Sequence, residues 1–204
     1  MSLPRAATAS ALLLFLVLAL ALPAARSQDE PFPIAITMAE PSPGVPAATE
    51  TWLGERVEQA NVIFAPSGVS FALRERATMG PEHAAMEDRP DRHALADLLV
   101  PRSINVFVVA SLRDVDDPSV MRQGVHWRPH GRRHLHYVIL SAVAGPTTLA
   151  HELGHFFGNP HVETPDNIMS YSRGGAVPPF FSDAQLRRIR RYARRFLAER
   201  EIVP

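Results

Sequence analysis

Cysteine is absent from the 204 residues, which removes disulfide frameworks, thiolate metal sites, thiol nucleophiles and lipid-modified cysteine anchors together. Any metal ligand must therefore come from His, Asp, Glu or Tyr. Lysine is absent as well: the 21 basic residues are all arginine, and 21 acidic residues balance them. A chain with a formal net charge of zero sets up no global field toward nucleic acid or an anionic membrane, so neither is expected as a partner. At 46% hydrophobic and 21% charged, the composition is that of a globular chain rather than a disordered one, and one domain is the default.

The N-terminus carries an address. Arg5 precedes a run from Ala11 to Leu22 built only of Ala, Leu, Phe and Val, followed by Pro23 and the small residues Ala24, Ala25 and Ser27. Charge, apolar run and small-residue exit are the order of a secretory signal peptide, expected to span 1–27 and to leave 28–204 as one catalytic domain, secreted or periplasmic. Because Arg5 and Arg26 lie upstream of the cut, the remainder is weakly acidic. The alternative is an uncleaved anchor, since Ala6 to Ala25 is nearly long enough to span a bilayer; only then is a membrane a partner.

Along the rest of the chain, Ile34 to Met38 predicts a short apolar strand. Thr49 predicts the cap of a helix that carries Trp52, Leu53, Val57 and Ala60 at helical spacing. Val69, Phe71 and Leu73 alternate as a half-buried strand does, and Met79 to Pro90 reads as loop. Asp91 is the expected cap of the next helix, and Ile104 to Ala110 is a continuous apolar run suited to a buried central strand. Gln123 to Arg128 predicts a short edge strand and Tyr137 to Val143 a second buried one. Ser182 is the expected cap of a last helix with Leu186, Ile189, Ala193, Phe196 and Leu197 on one face. Alternation of strands and helices implies a mostly parallel sheet with helices packed on it, then a mainly helical C-terminal part.

The stretch His151-Glu152-Leu153-Gly154-His155-Phe156-Phe157-Gly158-Asn159-Pro160-His161 carries the chemistry. On a helix starting near Thr147, His151 and His155 project from one face and can hold one ion. Gly158 can take a positive φ angle, stop the helix and turn the chain so that His161 supplies a third nitrogen. Three neutral imidazoles leave one position of a tetrahedral zinc open, which is the arrangement of a catalytic rather than a structural site. Glu152, beside the first ligand, is placed to act as a general base without occupying the coordination shell.

These residues resemble the metzincin family of zinc endopeptidases, whose signature has the same His, Glu, Gly and third-His spacing. Asp166-Asn167-Ile168-Met169-Ser170-Tyr171 is similar to the methionine turn that lies beneath the metal in that family. Asn61 to Phe71 also looks like the helix-to-strand passage of such domains, and the resemblance extends over most of residues 33 to 200. It implies an α+β fold with an α/β-type N-terminal subdomain: a twisted, mostly parallel sheet with an antiparallel edge strand, an active-site helix, the methionine turn and a C-terminal helix. It implies peptide-bond hydrolysis with a single catalytic zinc, Glu152 as general base, and protein or peptide as substrate. Some branches place a tyrosine where Tyr171 stands, as a zinc ligand or oxyanion donor; others use none, and packing or substrate contact is the alternative there. Gln123, Gly124, Val125 and His126 would form the upper rim of the cleft and pair with an extended peptide. Selectivity would come from a pocket walled by the helix and residues 172–180.

The branch has two readings. The short interval from His161 to Met169 is similar to the matrixins, whereas Asn-Ile-Met-Ser-Tyr-Ser and Phe181-Ser182-Asp183-Ala184-Gln185 are similar to pappalysin-type bacterial and fungal enzymes. Without cysteine, latency through a propeptide thiol is not expected, and archaemetzincins, which carry a cysteine site, are set aside.

Three further features carry expectations. His126, His130, His134 and His136 cluster with arginines, as a solvated basic loop or, alternatively, a second metal site. Asp114, Asp116 and Asp117 form a turn, with calcium the alternative. Arg187, Arg188, Arg190, Arg191, Arg194, Arg195 and Arg200 make a solvated helix face rather than a nucleic-acid patch. Against the peptidase stands a catalytically silent zinc-containing binding or adhesion module, which the presence of Glu152 disfavours.

Overall fold

The apolar runs become sheet, and their neighbours decide which face each residue serves. The computed structural model describes residues 30–132, 135–175 and 177–204; residues 1–27, expected above to be a signal peptide, lie outside them. Strand β1 (Phe32–Ala39) is buried along its whole length. Helix α1 (Glu50–Phe64) starts as its sequence requires, with the Thr49 side chain accepting the Trp52 N–H at 3.1 Å, which satisfies one of the donors a first turn leaves free. A 3-10 turn with Gly68 at φ 75 leads to β2 (Phe71–Met79), whose Leu73 to Thr78 stretch stays largely outside the core, as an edge strand allows.

The expected loop from Met79 to Pro90 is partly ordered. It holds the short strand β3 (Ala85–Met86), which pairs with β5 (Ser111–Leu112). Helix α2 (Arg89–Ala94) begins three residues earlier than Asp91 suggests: Asp88 is its cap, and Asp91 returns the bond to the Asp88 N–H as the far half of a capping box. Two acidic residues three apart carry that ambiguity, and only geometry resolves it.

Strand β4 (Ile104–Val109) is central and wholly buried, β6 (Gly124–Trp127) is an edge strand, and β7 (Tyr137–Ser141) lies between them. The five-stranded order is β2-β1-β4-β7-β6; all pairings are parallel except β6 on β7, where Val125 faces Ile139. Alternation along β4 splits the core: Ile104, Val106 and Val108 face the side covered by helices, while Phe107 and Val109 face the side closed by Leu95, Met86 and Trp127. The helix side receives α1, α3 (Thr148–Phe156) and α4 (Asp183–Ala198).

Ser182 caps α4 in a capping box with Gln185, and Leu186, Ile189, Ala193 and Phe196 are its buried stripe. Arg187, Arg191 and Arg194 are exposed opposite it. Among the described residues no helix is long and apolar enough to cross a membrane. Helix α3 is buried nearly all round, which its composition of Leu, Ala, Gly and Phe between the polar residues permits. It therefore carries His151 and Glu152 through the interior to the cleft beneath β6.

Candidate active site

His151 and His155 lie one turn apart on α3. The helix stops where a residue without Cβ is needed: Gly158 has φ 82, its N–H reaches the His155 carbonyl, and the Asn159 N–H reaches that of Gly154. That pair of reversed bonds satisfies the last carbonyls and swings His161 back over the helix. A Cβ at Gly158 would also lie 2.6 Å from the Tyr192 ring of α4, so packing and backbone both require glycine.

The three Nε2 atoms converge, at 3.2 Å between His151 and His161, 3.2 Å between His151 and His155, and 3.0 Å between His155 and His161. On the far side of two rings, His151 Nδ1 donates to the Ile168 carbonyl at 2.7 Å and His155 Nδ1 to the Asn159 carbonyl at 2.8 Å. A carbonyl only accepts, so Nδ1 carries the proton and Nε2 offers a lone pair. Burial lowers the proton affinity of both rings, that of His155 to about 4, and that of His161 as well. Lone pairs that cannot hydrogen-bond one another face a common point, and nitrogens sharing a tetrahedral zinc at about 2.0 Å stand about 3.3 Å apart. The donor set fits such an ion, and this is the one His, Asp or Glu cluster of metal-holding geometry among the described residues.

Glu152 is 6% exposed. Burial raises its carboxyl to about 8, against the pull of the His126 main-chain N–H and of Arg122. Its cover is Gly124: a Cβ there would sit 2.7 Å from Thr148 Cγ2 and 3.0 Å from Glu152 Cγ. In the antiparallel β6–β7 pair, Gln123 turns its carbonyl to the Ser141 N–H, so Gly124 and His126 turn their main-chain groups to the open edge, where Glu152 takes the His126 N–H. The rim residues Gln123 and Gly124 line a cavity with His151, Glu152 and Tyr171; Val125 and His126 line a second one with His155 and His161.

Met169 is fully buried beneath α3, and Gly154 is its counterpart, since any Cβ there would overlap Met169 Sδ. The turn is pinned from α4. Asn167 Oδ1 accepts the Met169 N–H at 2.9 Å, and the Asn167 and Gln185 side chains exchange two hydrogen bonds at 2.8 and 3.1 Å. Sequence reasoning did not single out Gly154, Asn159, Asn167 or Gln185 for these roles; a polar pair in otherwise apolar surroundings was the available signal. Tyr171 is 72% exposed, with its ring centroid 4.6 Å from that of His161.

The histidine-rich loop departs from expectation. His136 is buried, stacked on Phe156 at 3.9 Å, with Nδ1 2.9 Å from His126 Nε2 and Nε2 2.8 Å from Glu201 Oε1. A solvated loop is thus the wrong description for this end of it, because Phe156 and the last turn of the chain cover the ring. His130 lies instead beside His93, and His134 lies outside the described residues. Asp114 accepts the N–H groups of Asp116 and Asp117 and pairs with Arg122, which brings its carboxyl down to about 2 and makes the acidic stretch a turn.

No family model matches the chain, and no curated protein matches it. Among solved structures it is similar to metalloproteinase-II from Bacteroides fragilis, with TM-score 0.57 and 14% identity over 83% of this chain and 55% of that one. It is similar also to archaemetzincin from Methanopyrus kandleri, with TM-score 0.57 and 15% identity over 84% of this chain and 99% of that one. The chain thus spans about half the length of the Bacteroides protein. At these identities the likeness is one of fold, a mixed α/β metallopeptidase fold with a mostly parallel sheet and an antiparallel edge strand. It brings no cysteine site with it, since the chain has no cysteine.

Proposed function

We propose that this chain is an exported zinc-dependent endopeptidase of the metzincin kind, closer in its His161-to-Met169 interval and its Asn167–Tyr171 turn to matrixin-like or pappalysin-like enzymes. The observation that carries the reading is the convergence of three Nε2 atoms beside a buried carboxyl, under an open strand edge. His151, His155 and His161 would hold the ion, and a bound zinc supplies Lewis-acid stabilisation of negative charge on the scissile carbonyl. Glu152 takes a proton from the attacking water at a carboxylate oxygen and passes it to the leaving amine. The open edge of β6, through the main-chain groups of Gly124 and the carbonyl of His126, pairs with an extended substrate and holds the peptide in register. Tyr171, whose hydroxyl has no hydrogen-bond partner among the described residues, donates to the developing oxyanion. Met169 and Gly154 keep the floor dry and fixed. Residues 1–27 direct secretion or delivery to the periplasm.

The test is cleavage of an unfolded protein by the zinc-loaded chain and by Glu152→Ala at equal, verified zinc content. The wild type is expected to cut and the variant to lose about 10²–10⁴-fold, with chelation abolishing both. Equal cleavage by the two would remove Glu152 as the base. Zinc bound without cleavage by either would favour the silent binding module, and absence of zinc binding would sink the reading.

A further inference from the structure

Two cavities flank the histidine cluster, one at each end of β6. The first, about 420 Å³, has Arg122, Gln123, Thr148, Glu152, Tyr171 and Arg173 among its walls. The second, about 460 Å³, opens between His126 and Arg128 on one side and His155 and His161 on the other. Glu152 lines the first and not the second. The leaving amine belongs to the residue that follows the cut, and it must lie beside the carboxyl that protonates it. The side chain of that residue therefore enters the first cavity.

We propose that this cavity reads a carboxylate, so that the enzyme cuts on the N-terminal side of Asp or Glu, with Arg122 as the selecting residue. The inference rests on the peptidase reading above and adds its substrate class. Arg122 is held from behind: its Nε pairs with Asp114, whose carboxylate is itself anchored on the N–H groups of Asp116 and Asp117 at 2.7 and 3.0 Å. Among the described residues neither terminal nitrogen of the guanidinium has a hydrogen-bond partner, and together they form the planar fork that matches a carboxylate. Gln123 is oriented likewise. Its Oε1 accepts the Gly145 N–H at 2.9 Å and the Thr148 hydroxyl at 3.1 Å, which fixes its NH₂ as a donor with no partner among the described residues. Arg173 donates only to carbonyls, those of Asn167, Ile168, Ser170 and Ser172, and pairs with no carboxylate among the described residues. Glu152 is the one carboxyl in the cavity wall, and it is committed to the reaction. An apolar side chain here would strip solvent from the terminal nitrogens of Arg122 without replacing its hydrogen bonds, and a basic one would meet the like charge of Arg122 and Arg173.

A substrate carboxylate has two sources, an acidic side chain or the C-terminus of a peptide. Cleavage by the zinc-loaded chain of peptides that differ only at the residue after the cut, Asp against Asn and Glu against Gln, each with a free or amidated C-terminus, separates them. The acidic member is expected to have about tenfold higher kcat/KM than its neutral isostere, whether or not the terminus is blocked. In Arg122→Gln the ratio is expected to fall toward one. Arg122→Lys, which keeps the pairing with Asp114 but not the fork, is expected to fall between, and guards against a variant that fails to fold. Cleavage indifferent to side-chain charge would overturn the inference while leaving the peptidase intact, and a requirement for a free terminus would assign the cavity to an exopeptidase. If no peptide is cut, fluorescence anisotropy of labelled peptides bearing N-terminal Asp or Asn on the Glu152→Ala protein decides. Tighter binding of the Asp peptide, lost in Arg122→Gln, supports the cavity's role, and equal binding overturns it.

Discussion

Burial gives the Glu152 carboxyl a proton affinity that an exposed carboxylate lacks, and this makes the stability of the fold depend on pH. Its folded value, about 8, stands above the unfolded carboxylate range. The protonated form is thus favoured by folding, and its stabilising contribution is complete below the unfolded value and is lost as pH rises through 8. In zinc-free protein, Glu152→Gln is expected to match the wild type near pH 4. It should exceed the wild type by about 5 kcal/mol at pH 9, because the variant never buries a charge; urea unfolding at both pH values measures this. The sequence identified Glu152 by its place after His151. It did not identify the groups that tune it, since the His126 N–H and the Arg122 guanidinium arrive from a strand and a loop distant along the chain. The same holds for the histidines: their spacing is local, whereas the Ile168 carbonyl that orients His151 comes from the turn ahead of Met169.

Helix α3 and its exit show how far local rules reach. Helical spacing set His151 and His155 on one face, and a glycine at 158 was legible as a stop because only a left-handed residue completes that cap. What packs on the stop was not legible. The Tyr192 ring occupies the space a Cβ needs, so Gly158→Ala is expected to combine left-handed strain with displacement of that ring. The cost should be about 2–3 kcal/mol in unfolding free energy, with zinc affinity also reduced, since His161 follows the turn. Thermal denaturation and zinc titration of the variant check both effects. A similar limit applies at α2, where Asp88 and Asp91 each satisfy the rule for a cap, and at the histidine-rich loop, where polarity suggested solvent and Phe156 instead covers His136.

The sheet places the site between elements that local sequence cannot relate. Strand β6 and helix α3 are brought together by the antiparallel pairing of β6 on β7, and α4 reaches under the cleft to hold Asn167 through Gln185. An ion bound to His151, His155 and His161 would tie helix α3 to the segment beyond Gly158 and would bind the folded state alone. At free zinc a thousandfold above Kd this adds about 4 kcal/mol to stability, a rise in melting temperature on the order of 10 °C. Calorimetry with and without chelator is expected to show that rise, and His161→Ala to remove most of it while leaving the melting temperature of the zinc-free protein nearly unchanged. A zinc-independent melting temperature in the wild type would count against the site.

Patterns whose cause lies within a few residues were available from the chain alone: the apolar strands, the caps at Thr49 and Ser182, the His151/His155 face, the glycine stop and the type of metal the absence of cysteine left open. Each follows from backbone geometry or from the chemistry of one side chain. The convergence of three Nε2 atoms to within 3.0–3.2 Å, the clearance of Gly124 over Glu152 and of Gly154 over Met169, and the Arg122 fork facing the cleft depend on packing between segments far apart in sequence. No local rule encodes those distances, because they are set by how the sheet, α3 and α4 fill one shared interior.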